Sequence, residues 1–264
     1  MTAQYATTLF DPDATACPAV ARHLDFIDYA AEVPVHTHRK GQLIIALYGA
    51  VICRAQNEIW IVPPHCAVWI PGGIPHSAGA TWNAHLNYLF IEPGAAALPD
   101  RCCTLAISQL IKELVDRLTR ESADYPPDSH IARLTRVTLD ELVTMPQQNF
   151  SLPVSAHPKI RAMADTLVSH PEDRSTFKAW AKRLALSERS LARLMLRETG
   201  LTFGRWRQQL HLIIALQELA SGVSVQNVAE KLGYESVNAF ITMFRKTMGS
   251  TPAHYFAERK IQAP

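Results

Sequence analysis

Two stretches of this chain repeat one pattern at a near-constant offset, and the pattern leaves few ways to fold. VQNVAEKL is a short amphipathic segment with Val225, Val228, Ala229 and Leu232 on one side. Gly233 can close it with a left-handed C-cap. Tyr234 and Glu235 make a turn, and Ser236 is a natural N-cap for the next segment, VNAFITMFRKTM. That segment is expected to bury Ala239, Phe240, Met243 and Phe244. A small residue at the crossing, a tight turn and an apolar lock on the second helix are what a helix-turn-helix requires. AWAKRLALSERSLARLMLRETG meets the same requirements, with Ala181 answering Ala229 at an offset of 48 residues. Leu184 answers Leu232, and Ala185 answers Gly233. After a turn one residue shorter, Ser187 is the cap; Leu191, Leu194 and Met195 answer Phe240, Met243 and Phe244, and Gly200 ends the helix. Between the copies, TFGRWRQQLHLIIALQELASG reads as one long helix. Its Phe203, Trp206, Leu210, Ile213, Ile214 and Leu216 lie on or near one stripe, and Gly222 stops it. A single such unit is a weak signal, but a plain helical bundle has no reason to produce two matched copies with a connecting helix.

The formal net charge of +2 over 264 residues conceals a division. Residues 1–156 carry 10 Lys/Arg against 15 Asp/Glu, and residues 157–264 carry 16 against 9, so the halves are −5 and +7. A basic half beside an acidic one suggests that one domain meets a polyanion. Apolar residues at 48% and charged residues at 19% indicate globular domains, and the length suits two of them. No apolar run is long enough to span a bilayer. MTAQYATTLFDPDATACP lacks the basic start and apolar core of a secretory signal. Cys17, Cys53, Cys66, Cys102 and Cys103 form no CxxC pair and read as reduced thiols of a cytoplasmic protein.

The first hundred residues have a different period. LIIALYG, VICRA, EIWIV, AVWI and LNYLFIE are short β-type runs separated by turn residues, which suggests a small antiparallel barrel or sandwich. CTLAISQLIKELVDRLTRE then shows helical spacing at Leu105, Ile107, Leu110, Ile111, Leu114, Val115 and Leu118. A second helix is expected from Ser129 to about Met145, after a break containing Pro126 and Pro127. The two would form an antiparallel hairpin. Its apolar stripe could cover the barrel or a second chain; the barrel has its own apolar supply, which favours the second chain. Residues 146–157 contain two prolines, with a third at Pro158, and no periodicity, and read as a linker.

On SERSLARLMLRETG and VQNVAEKLGYESVNAFITMFRKTMGSTPAHY, residues from about 158 to 258 resemble the DNA-binding domain of the AraC/XylS family of bacterial regulators. Phe244, Arg245, Lys246, Gly249, Thr251, Pro252 and Tyr255 carry much of the likeness. The resemblance implies duplex DNA as partner and transcriptional control, as activator or repressor, with RNA polymerase as a further candidate partner. It places Ser187, Arg189, Ser190, Arg193 and Arg197 on the first reading surface, and Ser236, Val237, Asn238, Ile241, Thr242, Arg245 and Lys246 on the second. Arg can bond guanine in two places, Asn adenine, and Val or Ile can touch a thymine methyl. Lys178, Lys182, Arg245 and Lys246 suit phosphates better. Ala192 stands where family members often carry a longer polar residue.

His36-Thr-His38, Gln42 and Gly49, followed by Pro71-Gly72-Gly73-Ile74-Pro75-His76, resemble the two motifs of the cupin barrel. Strand alternation would put His36 and His38 on one face. Gln42 replaces the usual Glu, and Ala80 the usual Asn. The resemblance implies an effector pocket of His36, His38, Gln42, His76 and Trp69, with the three histidines and Gln42 able to hold a divalent transition metal. A metal-free pocket and a purely structural role for the histidines remain open. Tyr48, Trp60, Trp82 and Tyr88 could add aromatic walls; His65 and His85 have no motif support.

Together these readings predict an α+β multidomain chain. Residues 1–102 form a cupin-like antiparallel β-barrel, 103–145 a helical hairpin for homodimerisation, and 146–157 a linker. Residues 158–264 form an all-α domain of two helix-turn-helix motifs joined by a long helix. The expected function is a DNA-binding transcriptional regulator controlled by a small-molecule effector in the barrel, without enzymatic activity. The alternative is a metal-dependent cupin enzyme with an accessory helical domain.

Overall fold

The alternating runs of the N-terminal half pair as antiparallel strands. The computed structural model describes residues 10–25, 31–48, 51–56, 58–62, 66–80, 84–148 and 151–257. Gly49, His65 and Trp82 lie outside them. A short 3-10 helix, Pro12–Ala14, precedes β1 (Ala19–Asp25), β2 (Ala31–His36), β3 (Gly41–Tyr48), β4 (Val51–Ala55), β5 (Glu58–Val62), β6 (Cys66–Ile70), β7 (His76–Ala80), β8 (His85–Ile91) and β9 (Cys103–Ala106). Then come α1 (Gln109–Thr119), α2 (His130–Val143), β10 (Gln147–Gln148) and β11 (Ser151–Pro153). The chain divides into two compact units, residues 1–56 with 62–149, and residues 57–61 with 150–264.

In the first unit one sheet runs β1-β8-β3-β6-β9-β10, while β2 and β4 flank β7 in a second. Side chains alternate across each strand. One face of the larger sheet carries Leu43, Ile45, Ala67, Trp69, Leu89, Ile91, Cys103 and Leu105, which form a core with Ile111, Val115 and Leu118 of α1 and Leu139 and Leu142 of α2. The other face carries Gln42 and Ile44, paired opposite Phe90 and Tyr88.

Two expectations change here. The helical reading from Cys103 fails at its start, because Cys103–Ala106 pairs with β6 and Ser108 caps the helix at Gln109, accepting from the Ile111 N–H at 3.3 Å. Ile111, Val115, Leu118, Leu139 and Leu142 of the hairpin cover the barrel, while Leu110 and Val137 stay exposed. Ile111 and Val115 are fully buried against the sheet, and each such side chain stabilises by about 1.5–3 kcal/mol. The sheet is apolar on both faces, so its own supply needed a cover.

The second unit contains α3 (Pro158–Ser169), α4 (Phe177–Arg183), α5 (Glu188–Thr199), α6 (Phe203–Ala220), α7 (Val225–Lys231), α8 (Val237–Met248) and α9 (Pro252–Ala257). The span read as a linker is partly ordered as β10 and β11. Ser151 of β11 pairs opposite Trp60 of β5. The Trp206 indole donates to the Pro153 carbonyl at 2.9 Å, and Gln209 Nε2 to the Ser151 carbonyl at 2.7 Å, so α6 holds this short ladder. Proline's missing N–H does not prevent its carbonyl from serving as an acceptor. In α6 the buried residues Phe203, Trp206, Leu210, Leu212, Ile213, Ala215, Leu216 and Ala220 wrap more than one stripe, as expected of a helix with neighbours on several sides. Among the described residues no helix is long and apolar enough to cross a membrane.

Candidate functional site

The helix-turn-helix units form as two short-helix, turn, long-helix pairs, α4–α5 and α7–α8. In each the N-cap serine accepts from the third residue on: Ser187 from the Ser190 N–H at 3.1 Å, and Ser236 from the Ala239 N–H at 3.2 Å. Gly200 and Gly249 end α5 and α8 in the left-handed region, at φ of +70° and +78°. Leu191 and Met195 of α5, and Phe240 and Phe244 of α8, are buried as the repeat requires. Ala239 is exposed, against expectation: it lies one position beyond the buried arc that Phe240 and Phe244 define.

The outer faces are where DNA can reach. Ser187, Arg189, Ser190, Arg193 and Arg197 are all exposed. So are Ser236, Asn238, Thr242, Arg245 and Lys246, while Val237 and Ile241 are half-buried. Arg197 is turned sideways, donating to Glu198 Oε1 through Nε at 3.0 Å and Nη2 at 2.9 Å. Among the described residues no ion pair holds Arg189 or Arg193, so both can extend outward. Thr242 gives its hydroxyl to the Asn238 carbonyl at 2.8 Å. The 18 residues of α6 make the connecting helix about 27 Å long, comparable to one turn of duplex.

In the first unit the structure brings together four of the five barrel residues. The rings of His36 and His76 have centroids 4.3 Å apart, and those of His38 and His76 5.1 Å. Each of these histidines donates its Nδ1–H to a backbone carbonyl two residues away: His36 to Pro34 at 2.9 Å, His38 to Lys40 at 2.5 Å and His76 to Ile74 at 2.8 Å. A carbonyl can only accept, so each neutral ring keeps its lone pair on Nε2. One nitrogen from each ring lies within 4.8 Å of the others. His76 Nε2 is buried without a hydrogen-bond partner. Burial, joined by the charges of His36 and His38, pushes the His76 pKa down to about 4, against a smaller opposing effect of the Ile74 carbonyl, so its ring is neutral near pH 7. His38 Nε2 meets Gln42 Oε1 at 2.8 Å. Two acceptors that close need a proton, a turned amide or a cation between them.

The pair His36 and His38 does not arise from strand alternation. β2 ends at His36 after a register shift, and His38 belongs to the following loop. That loop is held by Asp13, whose carboxylate accepts from the backbone N–H groups of Arg39 at 2.5 Å and Lys40 at 3.0 Å. Lys40 is wholly buried, with Nζ 2.9 Å from Glu92 Oε2. Burial and the Arg39 charge lower its pKa. Sequence reading missed Lys40, since a lysine after His-x-His-Arg looks solvated.

Trp69 is not in this site. It stands opposite Leu43 on the hairpin face of the sheet, its indole donating to the Pro99 carbonyl at 2.8 Å. Gln42 is one residue from Leu43 and therefore faces the other way. The aromatic wall of the site is Phe90, with its ring 5.3 Å from His38 and stacked on Tyr88 at 5.9 Å. The two-residue spacing of Tyr88 and Phe90 in LNYLFIE was the available signal. Trp60 lies on β5 in the other unit.

The donor set fits a divalent transition metal: three oriented imidazoles, one with an orphaned Nε2, and an amide oxygen. Imidazole suits Zn, Ni, Cu or Fe, and the carbonyls on Nδ1 are the outer-shell partners that fix ligating histidines.

Residues 180–258 match the Helix-turn-helix domain family, and residues 23–134 match the AraC-like ligand binding domain family. The chain is 51% identical to the HTH-type transcriptional regulator NimR of Escherichia coli over 231 residues, 88% of this chain and 85% of that protein. It is 33% identical to the HTH-type transcriptional regulator RipA of Corynebacterium glutamicum over 103 residues, 39% of this chain and 31% of that protein. It is 23% identical to the HTH-type transcriptional activator RhaR of Mannheimia succiniciproducens over 243 residues, 86% of this chain and 88% of that protein.

Proposed function

This chain belongs to the AraC/XylS family of transcriptional regulators, and from that premise we propose that its effector is recognised at His36, His38, Gln42 and His76, through a divalent transition metal. It is a transcriptional regulator with an AraC-like ligand-binding domain and a helix-turn-helix DNA-binding domain. The observation that carries the metal reading is the shared orientation of the three rings, each Nδ1 engaged by a carbonyl and each Nε2 left as a lone pair. The metal would supply a Lewis-acidic point for a donor atom of the effector. The residues of this chain hold the rings in one tautomer, and Phe90 provides an apolar wall.

A bound effector alters DNA occupancy only by binding two arrangements of the protein unequally. We read the DNA surface as base contacts from Arg189, Arg193, Asn238, Val237 and Ile241, with phosphate contacts from Arg245 and Lys246. Ser187 and Ser236 cap the reading helices, while Ser190, Arg197 and Thr242 border the surfaces. The protein acts in the cytoplasm, as a homodimer and without enzymatic activity, and meets RNA polymerase at the promoter. Leu110, Val137 and Val143, exposed on the hairpin, offer the apolar contact for a second chain. The amide at Gln42 weighs against the enzymatic alternative, because it removes the carboxylate that would balance a catalytic ion.

A mobility-shift assay on the DNA upstream of the chain's own gene tests the reading, with apo protein, Zn2+-loaded protein and candidate effectors. A shift whose midpoint moves with metal or effector in the wild type, and not in His38→Ala, is expected. A shift insensitive to metal and to every effector in both proteins overturns the metal-linked reading. No shift on any neighbouring intergenic fragment overturns the DNA assignments.

A further inference from the structure

A second group of metal-capable side chains lies on the opposite face of the larger sheet. His23 and Asp25 stand two residues apart on β1, and Asn87 and His85 stand opposite them on β8. All four share the face that carries Leu89 toward α1, not the face that carries Phe90 and Gln42. Asp25 Oδ1 lies 2.8 Å from His23 Nε2 and 2.6 Å from His85 Nδ1. His23 Nδ1 lies 2.6 Å from Asn87 Oδ1, and Asn87 Nδ2 donates to Asp116 Oδ1 of α1 at 3.5 Å.

The contact with Asp116, at 3.5 Å, favours one orientation of the Asn87 amide. Turned the other way, it would set its oxygen against a carboxylate. Asn87 Oδ1 therefore faces His23, and His23 Nδ1 is the donor. In a neutral ring Nε2 is then the lone pair, and it meets a carboxylate oxygen. A proton on Nε2 or a metal ion between the two groups satisfies that contact. His85 Nδ1 converges on the same oxygen, and the three candidate ligand atoms all lie within 4.8 Å of one another.

We propose that His23 Nε2, Asp25 Oδ1 and His85 Nδ1 form a second divalent transition-metal site, outside the barrel. Two imidazoles and one carboxylate suit Zn, Co, Ni or Fe, whereas Mg and Ca prefer oxygen ligands. Ligands bound tetrahedrally at about 2.0–2.2 Å stand roughly 3.3–3.6 Å apart, so an ion parts the present contacts by about 0.5–1.0 Å. The side chains of His23, Asp25 and His85 are 37%, 43% and 44% exposed. Solvent fills the remaining coordination positions. The outer shell is built: Asn87 fixes the His23 tautomer, Asp116 fixes Asn87, and Arg120 Nη2 holds Asp116 Oδ2 at 2.6 Å. An ion here links the ends of β1 and β8 to the first helix of the hairpin.

The test is a Co2+ titration of the chelator-stripped full chain, followed by the visible absorption of bound Co2+ and by calorimetric stoichiometry. His38→Ala should retain one bound Co2+ per chain. Adding His23→Asn and His85→Asn should weaken that binding by roughly tenfold or more, with an unchanged far-UV spectrum. If the added substitutions disturb folding, Asp25→Asn in the His38→Ala background should weaken it comparably. Unchanged Co2+ binding after these substitutions, or no Co2+ bound by His38→Ala, overturns the proposal. If instead the wild type and His38→Ala bind one ion equally and the His23/His85 variant binds none, this site stands and the metal reading of the barrel falls.

Discussion

Ala185 and Gly233 occupy the same place in the two repeats, and both have a left-handed backbone, with φ of +50° and +70°. Each follows the C-cap leucine of the first helix of its unit, Leu184 or Leu232, where a left-handed turn swings the chain toward the second. Glycine adopts this conformation freely, whereas alanine pays in strain between Cβ and the backbone.

The two positions therefore respond oppositely to exchange. Ala185→Gly relieves about 1–2 kcal/mol of strain and gives back part of it to unfolded-chain entropy, for a net stabilisation on the order of 0.5–1 kcal/mol. Gly233→Ala adds a Cβ 2.8 Å from the Glu172 carbonyl oxygen, a backbone atom that cannot yield cheaply. It should destabilise by about 2–3 kcal/mol. Urea unfolding of the full chain, followed by far-UV circular dichroism, measures both; loss of stability in Ala185→Gly would contradict the strain argument.

Arg193 and Arg197 face the same side of α5 but differ in what holds them. Arg193→Ala should cost about 1–3 kcal/mol on the specific site and much less on scrambled DNA. Arg197→Ala should cost less, because its guanidinium is already engaged by Glu198. Equal losses on both DNAs for Arg193→Ala would make it a phosphate contact. Binding isotherms at two salt concentrations separate the cases.

His211 makes the DNA-binding domain sensitive to acid. Burial on α6, joined by the Arg207 charge and opposed by a backbone bond at Pro171, pushes its pKa down to about 4 from 6.5. The unfolded chain binds a proton on this ring at a higher pH than the folded one. Its contribution is thus fully present above about pH 6.5 and is lost as pH falls toward 4. The loss should be on the order of 1–3 kcal/mol. His211→Phe should flatten the dependence of the urea midpoint on pH over that window; an unchanged slope would place the sensitivity elsewhere.

Gln42 limits the charge of the barrel site. Gln42→Glu adds a carboxylate beside His38 and should tighten Zn2+ binding by about tenfold or more, whereas His38→Ala should weaken it at least as much. A thermal-shift series in Zn2+ reads both, since saturation at about 100 times Kd adds about 2.7 kcal/mol of stability. A Gln42→Glu protein with weaker Zn2+ affinity than wild type would count against coordination at this position.

The duplicated helix-turn-helix was legible in the sequence because its signals are local. Cap serines, a capping glycine after Leu232, and apolar spacing of three and four residues are all written within about 20 consecutive positions. The barrel histidines were legible as a set for a similar reason, since two short motifs name them. What the chain could not announce was which face each residue would take once strands far apart in sequence paired. Trp69 looked like a pocket wall, but its register opposite Leu43 sends it to the hairpin. Cys103–Ala106 carried helical spacing, but pairing with β6 made it a strand. The hairpin stripe looked free until the outer face of the sheet proved apolar enough to cover it. His23, Asp25 and His85 meet only because β1 and β8 pair in one register. Local propensity and capping act within a few residues and can be read directly from sequence, whereas register, face and burial depend on partners brought together by the tertiary fold.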